Sequence, residues 1–336
     1  MPDITNILPL SLEQYLAQKL SNVQLPVAFC LSEQEVTLGE NTLSEPITAE
    51  KIELIVFQQL SLSQLVALQK VTQIQITALT TINHRNDKTS CRFQVNCADF
   101  IKARKALADF ALANKVEAAL LTKVPSLSEP GLLVMDMDST TIEIECIDEI
   151  AILAGVGEEV AEVTERAMLG ELDFAQSLHQ RVATLAGSPV TILSDVAKNI
   201  PLMAGLKPLI TELKKHNWKI AIASGGFTYF ADHLKQTLDL DAAFANTLEV
   251  VDGKLTGKVL GDVVDAQVKA DSLAILSKEY AIPANQTVAM GDGANDLVMM
   301  AAASFGVAFH AKPIVLAQAD SSINVQGLDC LLHWLA

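Results

Sequence analysis

Residues 131–140 read Gly131-Leu-Leu-Val-Met-Asp136-Met-Asp138-Ser-Thr140, a short apolar run that ends in two carboxylates two positions apart. An unbroken apolar run of this length predicts a strand buried on both faces of a parallel sheet. Carboxylates at the C-terminal end of such a strand project into the crevice where open α/β sheets take their ligands. There they can hold a hard divalent cation, attack phosphorus or move a proton. Taken alone, Asp138-Ser-Thr140 also suits a helix-capping turn.

Downstream, residues 142–200 carry helical patterning punctuated by Gly155, Gly170 and Gly187, which predicts four short helices inserted after the first strand. Strand–helix alternation returns with buried-strand candidates at 219–223, 287–290 and 306–309. Residues 247–251 and 254–258 flank Asp252-Gly253, a hairpin signal. The expected core is a doubly wound parallel sheet with a helical cap over about 142–204.

Upstream, Leu127-Ser-Glu-Pro-Gly131 has the composition of a linker. Before it, strands are expected at 51–57, 75–82, 91–97 and 116–121, with helices from Ser61 through Val71 and from Asp99 through Lys115. The order βαββαβ is the split βαβ, ferredoxin-like α+β plan. Residues 1–47 are weakly patterned, with a helix expected at 11–20, a strand at 27–31 and a loop at 40–46. The expected division is an N-terminal extension (1–47), a ferredoxin-like domain (48–124) and a doubly wound α/β domain (130–336).

Half of the 336 residues are hydrophobic, enough for a sizeable core. Lys+Arg 24 against Asp+Glu 40 gives a net charge of -16, which repels nucleic acid and anionic membrane surfaces. An anionic substrate must therefore be held by local donors. The five cysteines are scattered without a CxxC pair, so neither a disulfide framework nor a zinc ribbon is expected. No signal peptide is read at the N-terminus, and the longest nearly apolar stretch, 297–309, is too short to span a bilayer. A cytoplasmic location is expected.

Three core strands run into polar groups: Asp136 and Asp138; Ser224-Gly225-Gly226; and Gly291-Asp-Gly-Ala-Asn-Asp296. Lys269 stands alone at the start of a helical run. Each has a bland alternative: a tight turn for the glycine pair, a solvated charge for the lysine. A dinucleotide fingerprint is excluded, because Asp296 occupies the place of the third glycine and would repel a pyrophosphate. Together the four segments supply the parts of a phosphoryl transfer. Asp136 suits the nucleophile, and Asp136 and Asp292 suit Mg²⁺. The Ser224 hydroxyl and the Gly225 N–H suit phosphate oxygens, Lys269 brings positive charge, and Asp138 remains as general acid.

In this order, DMDST, SGG, an isolated Lys and GDGAND resemble motifs I to IV of the haloacid dehalogenase superfamily of phosphatases. Within the insertion, residues 143–150, Glu165-Arg-Ala-Met168, Leu172-Asp-Phe174 and Arg181-Val resemble the phosphoserine phosphatases of that superfamily. The resemblance implies hydrolysis of O-phospho-L-serine through an aspartyl-phosphate on Asp136, with Asp138 protonating the serine oxygen. It implies Mg²⁺ held by the Asp136 and Asp292 side chains and the Asp138 carbonyl. Asp296 would orient Lys269 or a metal-bound water, and Asn295 would lie near the substrate. Glu145 would take the substrate ammonium, Arg181 its carboxylate, and Met168 and Phe174 would close the pocket. Without the resemblance Arg166 competes with Arg181 for that carboxylate. Residues 48–124 resemble the ACT-type modules that bind amino acids, so an amino-acid effector or a second copy of the chain is an expected partner.

Overall fold

The computed structural model describes residues 7–20, 24–39 and 51–336. The loop expected at 40–46 lies outside them. The chain forms two compact units, residues 1–124 with 320–336 and residues 125–319.

In the first unit a six-stranded sheet runs in the order β2-β1-β4-β5-β3-β6. Its strands are β1 (Val27–Leu31), β2 (Val36–Gly39), β3 (Glu53–Phe57), β4 (Ile74–Arg85), β5 (Lys88–Cys97) and β6 (Ala118–Leu121). Each strand pairs antiparallel with its neighbours. The βαββαβ order expected for 51–121 is the order observed, with helices α2 (Leu62–Thr72) and α3 (Phe100–Asn114) as crossovers. Strands β4 and β5 are joined by a two-residue hairpin in which Asn86 and Asp87 both take positive φ (47° and 57°).

The weakly patterned N-terminus is not a separate extension. Helix α1 (Leu12–Lys19) and the β1–β2 hairpin belong to the same unit, β1 pairing with β4 through Val27–Leu79. Helices α1 and α2 start alike. Leu10-Ser-Leu-Glu-Gln14 and Leu60-Ser-Leu-Ser-Gln64 each form a capping box, and Ser11 and Ser61 face one another in an antiparallel bridge. That repeat was a signal in the sequence that α1 belongs with α2.

The C-terminal boundary also differs from expectation, since residues 320–336 group with 1–124 rather than with residues 125–319. Apolar burial and polar pairing both hold this segment there: Leu328, Leu331, Leu332 and Leu335 are buried and Trp334 packs near Phe57 with ring centroids 6.0 Å apart. Buried Arg92 donates to Glu53 at 2.7 Å and to the carbonyls of His333, Trp334 and Leu335. Lys88 reaches Asp329 at 2.8 Å, and the Glu117 carboxylate accepts the N–H groups of Asn324, Val325 and Gln326. Backbone polar groups of an irregular segment must find partners when buried, and residues 53–117 supply them.

In the second unit β7 (Leu132–Met135) is buried on both faces, as its apolar run requires. The further strands are β8 (Lys219–Phe227), β9 (Ala242–Val251), β10 (Lys254–Leu260), β11 (Thr287–Gly291) and β12 (Phe305–Phe309). They run in the order β10-β9-β8-β7-β11-β12, parallel except for the β9–β10 hairpin. Because β7 lies between β8 and β11, the order reverses at its C-terminal end, the switch point where such sheets bind ligands. The insertion comprises four helices: α4 (Cys146–Ala154), α5 (Gly157–Met168), α6 (Phe174–Thr184) and α7 (Thr191–Ala197). Gly155 ends α4 in a left-handed conformation, and Asp173 opens α6 with a capping box through Gln176. The unit also holds helices α8 (Leu206–Lys215), α9 (Thr228–Leu238), α10 (Ala266–Glu279), α11 (Leu297–Ala302) and the short α12 (Pro313–Leu316).

Candidate active site

The switch point opens into a cavity of about 430 Å³, lined by Asp136, Asp138, Ser224, Gly225, Asp292 and Asn295 from the sheet side. Glu145, Met168, Phe174 and Arg181 line it from the inserted helices. Nearly all the site residues expected from the sequence therefore converge, although they lie on segments up to 159 positions apart in the chain (136 to 295).

The loop after β7 is held tightly. The Met137 carbonyl accepts the N–H groups of Thr140, Thr141 and Ile142, and Thr141 Oγ1 donates to the Asp136 carbonyl at 2.6 Å. Ser139 takes a positive φ of 56° in this turn, and its hydroxyl donates to Glu145 at 2.7 Å. Asp136 is buried and pairs with Lys269 at 2.9 Å. Lys269, fully buried on α10, also pairs with Asp296 at 2.8 Å. Burial alone would lower the lysine's pKa, but the two carboxylates outweigh it and hold the ammonium charged.

One of the readings weighed for Asp138, a helix cap, is observed: its Oδ1 accepts the Cys146 N–H at the start of α4. Burial, followed by the charges of Glu145 and Asp136, nevertheless pushes its pKa up to about 8. A carboxyl in that range holds a proton near neutrality, as a general acid must. Glu145 and Asp292 are raised as well, by desolvation first and then by neighbouring carboxylates.

The SGG segment does not follow β8 as expected but lies inside it. The register with β9 shifts between Ala223 and Phe227, so Ser224–Gly226 form a bulge aimed at the cavity. Two glycines are needed there for space. A Cβ on Gly225 would sit 2.5 Å from Phe174 Cζ, and one on Gly226 would sit 2.7 Å from Asp138 Oδ2.

Four carboxyls line the cavity (Asp136, Asp138, Glu145, Asp292) against two cations, Arg181 and Lys312. Oxygens of Asp136, Asp292 and Asp296 all lie within 4.8 Å of one another. Such an excess of hard oxygen donors fits a divalent cation. Arg181 and Arg166 are now distinguished. Arg166 pairs with Glu171 and Gln180 on the cap, whereas Arg181 lines the cavity and its buried Nε has no hydrogen-bond partner among the described residues. Ser139, Thr141, Lys312 and the Cys146 N–H were missed by sequence reasoning. The Ser-Thr-Thr run behind the aspartates was a signal for the first two, and Lys312 had none.

A family model described as haloacid dehalogenase-like hydrolase matches residues 131–304. A phosphoserine phosphatase of Vibrio cholerae is 61% identical over 216 residues, 64% of this chain and 66% of that protein. One of Haemophilus influenzae is 57% identical over 239 residues, 71% of this chain and 74% of that protein. The unliganded crystal structure of a probable phosphoserine phosphatase from Vibrio cholerae superposes with a TM-score of 0.73 at 47% identity, covering 85% of this chain and 86% of that one.

Proposed function

The chain belongs to the haloacid dehalogenase-like hydrolases, and we propose that it hydrolyses O-phospho-L-serine to L-serine and phosphate, the final step of L-serine biosynthesis. One observation carries the substrate: a cavity with a nucleophile and acid at its floor also presents Glu145 and Arg181, the latter with an unpartnered Nε, from its roof. Phosphoserine carries an ammonium and a carboxylate beside its phosphate, so it needs one charge of each sign. Arg181 is the bidentate donor for the carboxylate and Glu145, steadied by Ser139, accepts from the ammonium.

Asp136 Oδ attacks phosphorus while the serine Oγ–P bond breaks, and Asp138 gives its proton to the departing oxygen. The products of this half are L-serine and the aspartyl-phosphate. Asp138, now ionised, takes a proton from the water that attacks the phosphoryl group, releasing phosphate and regenerating Asp136. Lys269 offsets the charge of Asp136, Asp296 holds Lys269, and Ser224, the Gly225 N–H and Asn295 bind around the phosphate and substrate. The Asp136 and Asp292 side chains and the Asp138 carbonyl would hold Mg²⁺, which would neutralise charge on the phosphoryl oxygens. Met168 and Phe174 line the cavity from the inserted helices and exclude water when the cap closes over the substrate.

The test is phosphate release from O-phospho-L-serine with Mg²⁺. Rapid turnover is expected, abolished by chelation. Absent turnover beside brisk hydrolysis of another phosphomonoester rejects the substrate. For residues 51–121 the element order supports an amino-acid effector site or a homodimer contact, distinguished by calorimetric titration of L-serine and by sedimentation of the full chain. Five unpaired thiols and no helix long and apolar enough to cross a membrane, among the described residues, are compatible with a cytoplasmic enzyme.

A further inference from the structure

The bulge in β8 leaves backbone groups of 224–226 without strand partners. Two of those groups belong to one peptide plane. On one side the Gly225 carbonyl accepts from Asn246 Nδ2 at 2.8 Å. On the other the Gly226 N–H donates to Ser224 Oγ at 2.9 Å. Asn246, on β9, is 1% exposed, and its Oδ1 accepts the Val264 N–H at 2.8 Å, just before the N-cap of α10. A buried amide with both ends engaged holds one rotamer, since releasing either bond would strand a polar group.

A hydroxyl that accepts an N–H bond along one lone pair must direct its own proton elsewhere. Among the described residues the Ser224 hydroxyl has no acceptor, although Ser224 is buried and lines the cavity. We propose that Asn246 is a positioning residue that fixes the Gly225–Gly226 peptide, so that the Ser224 hydroxyl is committed to donating to a phosphoryl oxygen. The chain runs from the Asn246 amide to the Gly225 carbonyl, through the peptide to the Gly226 N–H, and on to Ser224 Oγ. Each bond polarises the next toward stronger donation at the end. The proposal rests on the role assigned above to Ser224.

Asn246→Asp keeps the shape and the acceptor toward Val264 but, when ionised, cannot donate to the Gly225 carbonyl. In a double-mutant cycle with Ser224→Ala, kcat and KM for O-phospho-L-serine and inhibition by inorganic phosphate are measured. Asn246→Asp is expected to lower kcat/KM by about 10- to 100-fold and weaken phosphate inhibition, the size of a lost hydrogen bond to a charged group. The double variant should then lie within about 3-fold of Ser224→Ala, because both changes remove one interaction. A merely structural asparagine would multiply with Ser224→Ala instead, and that result overturns the proposal. Should Asn246→Asp not accumulate folded, Asn246→Ser, neutral and too short to reach, enters the same cycle with the same expectations. Full turnover by Ser224→Ala removes the serine's role and the proposal with it. An impaired Ser224→Ala beside an unimpaired Asn246 variant removes the proposal alone.

Discussion

Both units bury charge, and they do so in opposite ways. Around Arg92 the buried groups answer one another: Glu53 and three carbonyls for the guanidinium, Lys88 for Asp329, Ser90 and the Arg85 carbonyl for His333. In the cavity, carboxyls outnumber cations, three aspartates crowd within 4.8 Å and Arg181 Nε has no partner among the described residues. A satisfied network contributes rigidity and, in the first unit, ties a C-terminal segment to strands more than 200 residues earlier. An unsatisfied one costs stability and is completed only when ligand and cation arrive.

The largest test of this contrast is Asp136→Asn. It should reduce turnover by at least about a thousandfold, because the amide cannot attack phosphorus, while chemical denaturation finds the fold intact or slightly more stable. Large unfolding would mean that the cavity charges are structural. Conversely, Arg92→Ala should cost about 3 kcal/mol in urea unfolding by leaving three carbonyls without their donor and Glu53 with Lys51 alone, with kcat/KM of the folded fraction unchanged. A kinetic loss without a stability loss would reverse the assignment.

Arg181→Ala sharpens the cavity side. KM for O-phospho-L-serine should rise by about 10- to 100-fold, the worth of a charge-assisted pair, while hydrolysis of a phosphate ester lacking a carboxylate stays constant. Equal losses on both substrates would remove Arg181 from substrate selection.

The smallest effect is on pH. Burial, with the charges of Arg85 and Lys88 also lowering it, brings the His333 pKa down to about 4. The folded state therefore keeps this imidazole neutral, and the unfolded chain binds the extra proton below about 6.5. Stability falls as pH drops through that window, by about 1 kcal/mol between roughly pH 7 and pH 5.5. A His333→Gln variant should show a flatter profile, and an unchanged slope would assign the titration to other groups.

Locality explains how much was legible along the chain. The apolar run at 132–135, the capping boxes, the glycine-punctuated helices and the Asp252-Gly253 hairpin each depend on residues within a few positions of one another. So do the strand ends carrying Asp136, Asp138 and Asp292, because a polar residue directly after a buried strand has few places to go. The Ser224–Gly226 bulge escaped, since a bulge is defined by the register of the neighbouring strand. The place of β1 escaped as well, since it joins the sheet through β4, about 50 positions further along the chain.

The sequence by itself determined that two carboxylates end a buried strand, that four segments hold the parts of a phosphoryl transfer, and that an excess of negative charge leaves the anion to local donors. Only the tertiary structure decided that Arg181 rather than Arg166 lines the cavity, that residues 320–336 belong with the N-terminal unit, and that Asn246 stands behind Ser224. The reason is physical. Propensity and periodicity are properties of neighbours in the chain, whereas the partner of a buried polar group is chosen by whatever the fold brings within about 3 Å of it.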